Sequence, residues 1–76
     1  MFDRITVDPK IMQGKACIRG MRITVSLVVN LVAHGMSNQE IIESYPDLEP
    51  ADIEQALLYA SALANEEFHA FSLPAA

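Results

Sequence analysis

Helix start and stop signals between Gly35 and Pro50 constrain the fold of this chain more than any other feature. A glycine such as Gly35 commonly ends a helix, and Ser37 with Glu40 has the spacing of a capping box, which begins one. That second helix must end before Pro46, because the residue preceding a proline disfavours helical geometry. Pro50 then suits the first turn of another helix. These signals predict three helices, of which the middle one is short.

The two longer helices are predicted from the spacing of apolar residues. The first begins at Thr24 or Ser26, either of which can cap a helix. Its apolar stripe consists of Leu27, Val28, Leu31 and Val32. The third begins at Pro50 and extends to about Phe68. Its inner face consists of Ile53, Ala56, Leu57, Ala60, Leu63 and Ala64.

The residues before the first helix predict a short β arm. Residues 5–7 form a β-type run that ends at Asp8-Pro9, which favours a turn. Residues 15–18 and 21–24 flank Arg19-Gly20 with the spacing of a tight hairpin, in which Gly20 supplies a positive φ. The predicted fold class is mainly α, with a short N-terminal β arm or hairpin followed by a three-helix, helix-turn-helix-like bundle. We expect one domain over residues 1–76, divided into a β arm (1–24), a helical bundle (25–68) and an apolar tail (69–76).

The size of the chain favours self-association. A domain of 76 residues is marginally stable alone, and its one cysteine has no partner for an intramolecular disulfide. An apolar fraction of 51% suits a protein that covers part of its surface with another chain. We therefore expect a homodimer. Phe68 and Phe71, near the end of the chain, are candidate contacts with a dimer mate or another partner.

Basic and acidic residues occupy different parts of the chain. All five lysines and arginines precede Ile23, whereas eight of the ten carboxylates lie from Glu40 onward. Strand alternation places Lys15, Cys17 and Arg19 on one face of the β arm and Ala16 and Ile18 on the core face. Three residues are candidates for binding nucleic acid or a protein partner: Lys15, Arg19 and Arg22. The alternatives for this basic face are a solvated surface, docking against acidic helices of another protein, and insertion into a groove of DNA.

No catalytic, cofactor or metal site is predicted. Cations beside Cys17 favour its thiolate, but neither His34 nor His69 is placed by the sequence as a base for it. The two histidines also lack the close spacing of a metal site. The chain has no transmembrane stretch and no secretory signal pattern at its start, so we expect a cytoplasmic protein.

A set of residues in one order and spacing resembles a known family. These residues are Ile5, Asp8-Pro9, Gly14-Lys15, Ile18-Arg19-Gly20, Arg22-Ile23, Val25, Gly35-Met36-Ser37, Tyr45-Pro46-Asp47-Leu48 and Asp52-Ile53. From about Ile5 to Ala60 the chain is identified as a member of the domain of unknown function 433 family. It departs from the family pattern at Met21, where threonine is usual, and at Glu49, where a capping Ser or Thr is usual. Because glutamate caps poorly, we expect the third helix to fray at its start.

The resemblance implies a helix-turn-helix-like antitoxin of VapB type, encoded beside a PIN-like ribonuclease toxin. The leading interpretation is a non-enzymatic module that binds and neutralises such a toxin, with autoregulatory DNA binding as an additional activity. The alternatives are a DNA-binding transcriptional regulator and a structural dimerisation domain. The third helix is not expected to read DNA, because it carries several carboxylates and no lysine or arginine.

Overall fold

A short β hairpin precedes three helices in the computed structural model, which describes the backbone of residues 2–69 and the side chains of residues 2–65. The strands are β1 (Ile5–Val7) and β2 (Ala16–Ile18), and a single turn of 3-10 helix (Met12–Gly14) lies between them. The helices are α1 (Val25–Ala33), α2 (Asn38–Ser44) and α3 (Pro50–His69). This architecture confirms the predicted fold class of a β hairpin followed by three helices.

The hairpin has a different partner strand from the one predicted. β2 pairs antiparallel with β1, in a register that places Thr6 opposite Cys17. The predicted pairing of residues 15–18 with 21–24 is wrong apart from an isolated bridge between Cys17 and Thr24. Thr24 is already the N-cap of α1, so the chain enters the helix before a further strand can form.

The turn at Arg19-Gly20 is present as predicted and closes tightly. The Met21 amide donates to the Ile18 carbonyl at 2.8 Å. Both central residues have positive φ, 47° at Arg19 and 73° at Gly20, as a type I′ turn requires. The Gly20 amide donates to the Thr6 hydroxyl at 2.8 Å, which ties the turn to β1.

The helix ends follow the sequence signals closely. α1 ends at a Schellman motif, in which Gly35 has a φ of 93° and the Met36 amide donates to the Leu31 carbonyl at 3.1 Å. α2 begins with both bonds of the capping box. The Glu40 amide donates to the Ser37 hydroxyl at 3.1 Å, and the Ser37 amide donates to the Glu40 carboxylate at 2.8 Å.

The core joins the hairpin to all three helices. Its buried members are Ile18, Val25, Val28, Ile41, Leu48, Ile53 and Ala56. The segment before β1 also packs on α3, where the rings of Phe2 and Tyr59 meet edge to face at 5.3 Å. Among residues 2–69, none of the helices combines the length and the apolar character needed to cross a bilayer.

We expect Ser37→Ala to lower the free energy of unfolding by about 1 kcal/mol, because the substitution removes the acceptor that caps α2. Urea denaturation measures this change. Ser44→Ala in the same helix is the matched control, since Ser44 is exposed at the opposite end. Equal effects of the two substitutions would contradict the role assigned to the cap.

Candidate interaction surface and the adjoining ion-pair network

Among the side chains of residues 2–65, Asp52 in the first turn of α3 is the charged one that is completely buried, with 0% of its surface exposed. Its Oδ2 atom accepts the Glu49 amide at 2.8 Å, which supplies one half of a capping box from inside the helix. This bond starts α3 although Glu49 is a poor cap. The Glu49 carboxylate is directed instead to Arg4, at 2.7 Å.

Two arginines of the hairpin region complete the coordination of this carboxylate. Arg19 donates from Nε to both carboxylate oxygens, at 3.1 and 3.2 Å, and from Nη2 to Oδ2 at 2.9 Å. Arg4 donates from Nη1 to Oδ1 at 3.0 Å. Arg19 also donates to the Asp47 carbonyl, which precedes α3. The network therefore connects both ends of the hairpin to the start of α3.

The network keeps Asp52 ionised. Burial alone would raise the pKa of Asp52, but hydrogen bonds from Arg19, from the Glu49 amide and from Arg4 outweigh burial and lower the pKa below its usual value. The same pairing raises the pKa of Arg4, chiefly through Glu49 and then Asp52. Because Arg4 and Arg19 both donate to it, the Asp52 carboxylate has a structural role as a hydrogen-bond acceptor.

The remaining lysines and arginine line one depression, which we name the cationic cleft. Its lining residues are Pro9, Lys10, Met12, Gln13, Lys15 and Arg22. Lys10, Lys15 and Arg22 are all exposed. Among the side chains of residues 2–65, ion pairs are formed by Arg4 and Arg19 and by none of these three.

One wall of the cationic cleft has an unusual backbone conformation. Met12, Gln13 and Gly14 have φ values of 50°, 59° and 82°, so three successive residues are left-handed. A non-glycine residue in this region costs about 1–2 kcal/mol. Backbone hydrogen bonds from Gly14 to Ile11 and from Lys15 to Met12 hold the turn. The residue types of Met12 and Gln13 do not predict this conformation, since left-handed φ values favour glycine.

An apolar groove adjoins the cationic cleft and shares Met12 and Lys15 with it. It lies between β2, the first half of α1 and the second half of α3, and has a volume of about 760 Å³. Its apolar lining includes Ala16, Val25, Val29, Tyr59, Ala60, Leu63 and Ala64. Leu63 is 49% exposed, although it belongs to the predicted inner face of α3. The apolar inner face of α3 therefore extends from the core into the groove.

The structure separates the predicted site residues. Lys15 and Arg22 lie together in the cationic cleft, whereas Arg19 is paired with Asp52 and is absent from the cleft lining. Alternation fails at Cys17, which is 2% exposed and faces the interior instead of the expected basic face. The side chain of Phe68 and all of Phe71 lie outside the described residues. The roles of Arg4 and Asp52 depend on partners far apart in the chain, so the spacing of residues does not reveal them. Lys10 joins the cleft through the fold as well.

The histidine and acidic side chains of residues 2–65 do not form a metal site. The ring nitrogen Nδ1 of exposed His34 is 2.7 Å from the Asn30 carbonyl, and the side chain of His69 lies outside the described residues. In the described part of the chain, no group of three or more His, Cys, Asp and Glu side chains is placed to hold a metal ion.

The pattern of a protein family of unknown function, DUF433, matches residues 5–60. The chain belongs to the DUF433 family. The match covers the same range, Ile5 to Ala60, as the resemblance found in the sequence, so the resemblance to this family is confirmed.

Two proteins are similar to this chain, one of them a solved DUF433 structure. A crystal structure of a DUF433 member protein from Anabaena variabilis aligns with a TM-score of 0.77 and 25% sequence identity, covering 93% of this chain and 70% of that one. The uncharacterized protein y4eO of Sinorhizobium fredii is 36% identical over 58 residues. That alignment covers 76% of this chain and 26% of the relative, so the chain spans about a quarter of the length of the curated relative it matches. The crystal structure is that of a DUF433 member, and neither relative's description names an activity.

We expect Asp52→Asn to lower the free energy of unfolding of this DUF433 protein by about 2 kcal/mol, because it removes the charged acceptor that Arg4 and Arg19 share, while Arg4 keeps its bond to Glu49. Urea denaturation at pH 7 measures the loss. Asp47→Asn removes a nearby exposed carboxylate whose side chain forms no hydrogen bond, and should change stability by less than about 0.5 kcal/mol. A small effect at Asp52 would contradict its structural role.

Stability should also depend on pH through Asp52. Because the folded-state pKa is lower than the usual 3.8, the stabilisation is complete above that value and is lost as the pH falls towards the folded-state pKa. Between the two values we expect a loss of about 1.4 kcal/mol per pH unit. Denaturation of the wild type and of Asp52→Asn from pH 5 to pH 2 isolates this contribution. Parallel curves for the two proteins would contradict it.

Proposed function

We propose that this DUF433 protein is a cytoplasmic, non-enzymatic, antitoxin-like interaction module that binds and neutralises a PIN-like ribonuclease. The apolar groove is the observation that supports a protein partner. In this proposal the groove receives an apolar segment of the ribonuclease, and nucleic-acid binding for autoregulation is a second, separate activity.

The groove has the composition of a protein interface. Most of its lining residues are apolar, Tyr59 adds an aromatic ring, and the polar Ser26 and Asn30 also belong to the lining. Interfaces commonly combine an apolar centre, aromatic residues and a polar rim. Continuous exposed apolar surface on a small domain marks a binding site more often than chance.

Two side chains of types that often perform catalysis, the Asp52 carboxylate and the Cys17 thiol, are not available for it. Asp52 accepts five hydrogen bonds and is surrounded by donors, so it has no role available as a general base. Cys17 is buried, and its thiol lies 3.3 Å from the Lys15 carbonyl. These arrangements favour a binding function over an enzymatic one.

A transcriptional regulator that reads DNA with α3 is less favoured. The first turn of α3 is covered by Arg4 and Arg19, and residues 50–69 contain no lysine or arginine to contact phosphates. A structural dimerisation domain without a ribonuclease partner is the other alternative. It would use the same groove for a second copy, so the identity of the occupant distinguishes the two functions.

We expect Leu63→Glu to weaken ribonuclease binding by at least about 30-fold, a loss of about 2 kcal/mol, because it places a charge in the apolar centre of the interface. Leu58→Glu is the matched control, since Leu58 lies on the same helix outside the groove and is 55% exposed. Isothermal titration calorimetry compares the two variants. Equal losses would place the interface elsewhere.

Affinity capture from the native host, with and without nuclease treatment of the lysate, identifies the partner for this measurement. The proposal requires a PIN-like ribonuclease that remains bound after nuclease treatment. The two purified proteins should form a complex of defined stoichiometry, and ribonuclease activity should fall as this protein is added. Full ribonuclease activity in the presence of excess protein would refute neutralisation. If the protein forms a homodimer and captures no ribonuclease, the alternative of a structural dimerisation domain is favoured.

A further inference from the structure

We propose that the cationic cleft binds phosphate groups of a nucleic-acid backbone. This inference rests on the nucleic-acid-binding part of the proposed function and gives it a site, and it is independent of the ribonuclease partner. The three cations concerned are Lys10, Lys15 and Arg22.

Among the described side chains, the five basic residues fall into a paired group and an unpaired group. Arg4 and Arg19 are neutralised by Asp52 and Glu49, at distances of 2.7 to 3.0 Å. The three cations of the cleft have no such partner among the side chains of residues 2–65. The nearest carboxylate in sequence, Asp8, accepts the Lys10 amide at 2.9 Å and does not line the cleft. Three positive charges thus face solvent together on a chain of net charge -5.

The left-handed turn at Met12–Gly14 lies between the two lysines of the cleft. The Ile11 amide donates to the Asp8 carbonyl at 2.9 Å, and the Lys15 amide donates to the Met12 carbonyl at 3.2 Å. These bonds constrain the segment on both sides of Gln13, which itself lines the cleft. Strained backbone of this kind concentrates at binding sites, where it holds side chains in one arrangement. The turn is therefore a scaffold that keeps the cations of the cleft close together.

The chemistry of the lining favours phosphate over a protein partner. A guanidinium such as that of Arg22 donates paired hydrogen bonds to phosphate oxygens, and lysines add point charges. The Gln13 amide group adds a neutral donor. None of the residues lining the cleft is aromatic, whereas the centres of protein interfaces are enriched in aromatic anchors. The aromatic lining residue, Tyr59, belongs to the adjoining groove.

The acidic remainder of the molecule limits how much nucleic acid can be contacted. Eight carboxylates lie from Glu40 onward and repel a polyanion. We therefore expect one copy to contact about three phosphates, for which the logarithm of the affinity falls with the logarithm of salt concentration with a slope of about -2.7. Binding should be weak and independent of base sequence.

Fluorescence anisotropy of a labelled 20-base-pair duplex DNA, titrated with the full chain at 50 to 200 mM KCl, tests this site. Lys15→Gln and Arg22→Gln should each weaken binding several-fold at low salt and reduce the salt slope by about one. The double variant should lose at least tenfold. Because both residues are exposed, the variants should unfold at wild-type urea concentrations, within about 0.5 kcal/mol.

A charge-matched variant separates the cleft from net charge. Lys15→Gln combined with Ser44→Lys keeps the net charge of the wild type, and Ser44 is exposed on α2 outside the cleft lining. Binding should remain as weak as in Lys15→Gln alone. Recovery of wild-type affinity would overturn the proposal, as would an unchanged salt slope in both single variants. Failure of the wild type to bind the duplex would also overturn it.

Two further ligands identify the chemistry that is recognised. Unlabelled polyglutamate should compete much less effectively than unlabelled duplex at equal charge concentration, and equal competition would instead indicate a site for acidic protein. Inorganic phosphate should displace the duplex only at millimolar concentrations, whereas displacement at micromolar phosphate would indicate a small-anion site. Leu63→Ala adds no charge to the groove, so it should weaken ribonuclease binding while keeping duplex affinity, and the two losses are separately observable.

Discussion

The buried carboxylate of Asp52 determines how the two parts of this small fold are joined. It begins α3 by accepting the Glu49 amide, and it also accepts Arg4 from the segment before β1 and Arg19 from the turn after β2. A buried charge without partners would be strongly destabilising. The three donors together therefore make the burial of this carboxylate possible. The hairpin and the third helix are consequently stabilised by the same set of bonds.

This arrangement also explains a backbone conformation that the residue type alone disfavours. Arginine at a φ of 47° is uncommon, and asparagine or glycine would be expected at this place in a type I′ turn. The left-handed geometry directs the guanidinium to Asp52 and to the Asp47 carbonyl, while the Arg19 amide donates to the Arg4 carbonyl at 2.8 Å. The bonds gained at this side chain offset the conformational cost.

Local signals accounted for the parts of the fold that the sequence predicted well. The capping box at Ser37, the Schellman glycine at Gly35 and the helix break before Pro46 each depend on neighbours within a few residues, and each appears where expected. The pairing of β2 with β1 and the contacts of Asp52 depend on residues far apart in the chain, so spacing could not reveal them. Alternation placed Cys17 on the basic face of the β arm, but in the structure Cys17 is buried and forms an isolated bridge with Thr24.

The same long-range pairing decides which of the five basic residues remain available for binding. Lys15, Arg19 and Arg22 are close in the chain, but the structure pairs Arg19 with Asp52 and places Lys10 with the other two. The apolar groove meets this cleft at Met12 and Lys15. Any ligand that moves the Lys15 side chain therefore alters both surfaces, and thermodynamic linkage requires the resulting coupling to be equal in both directions. Occupation of the proposed groove and of the proposed phosphate site would therefore be coupled through Lys15, which lines both.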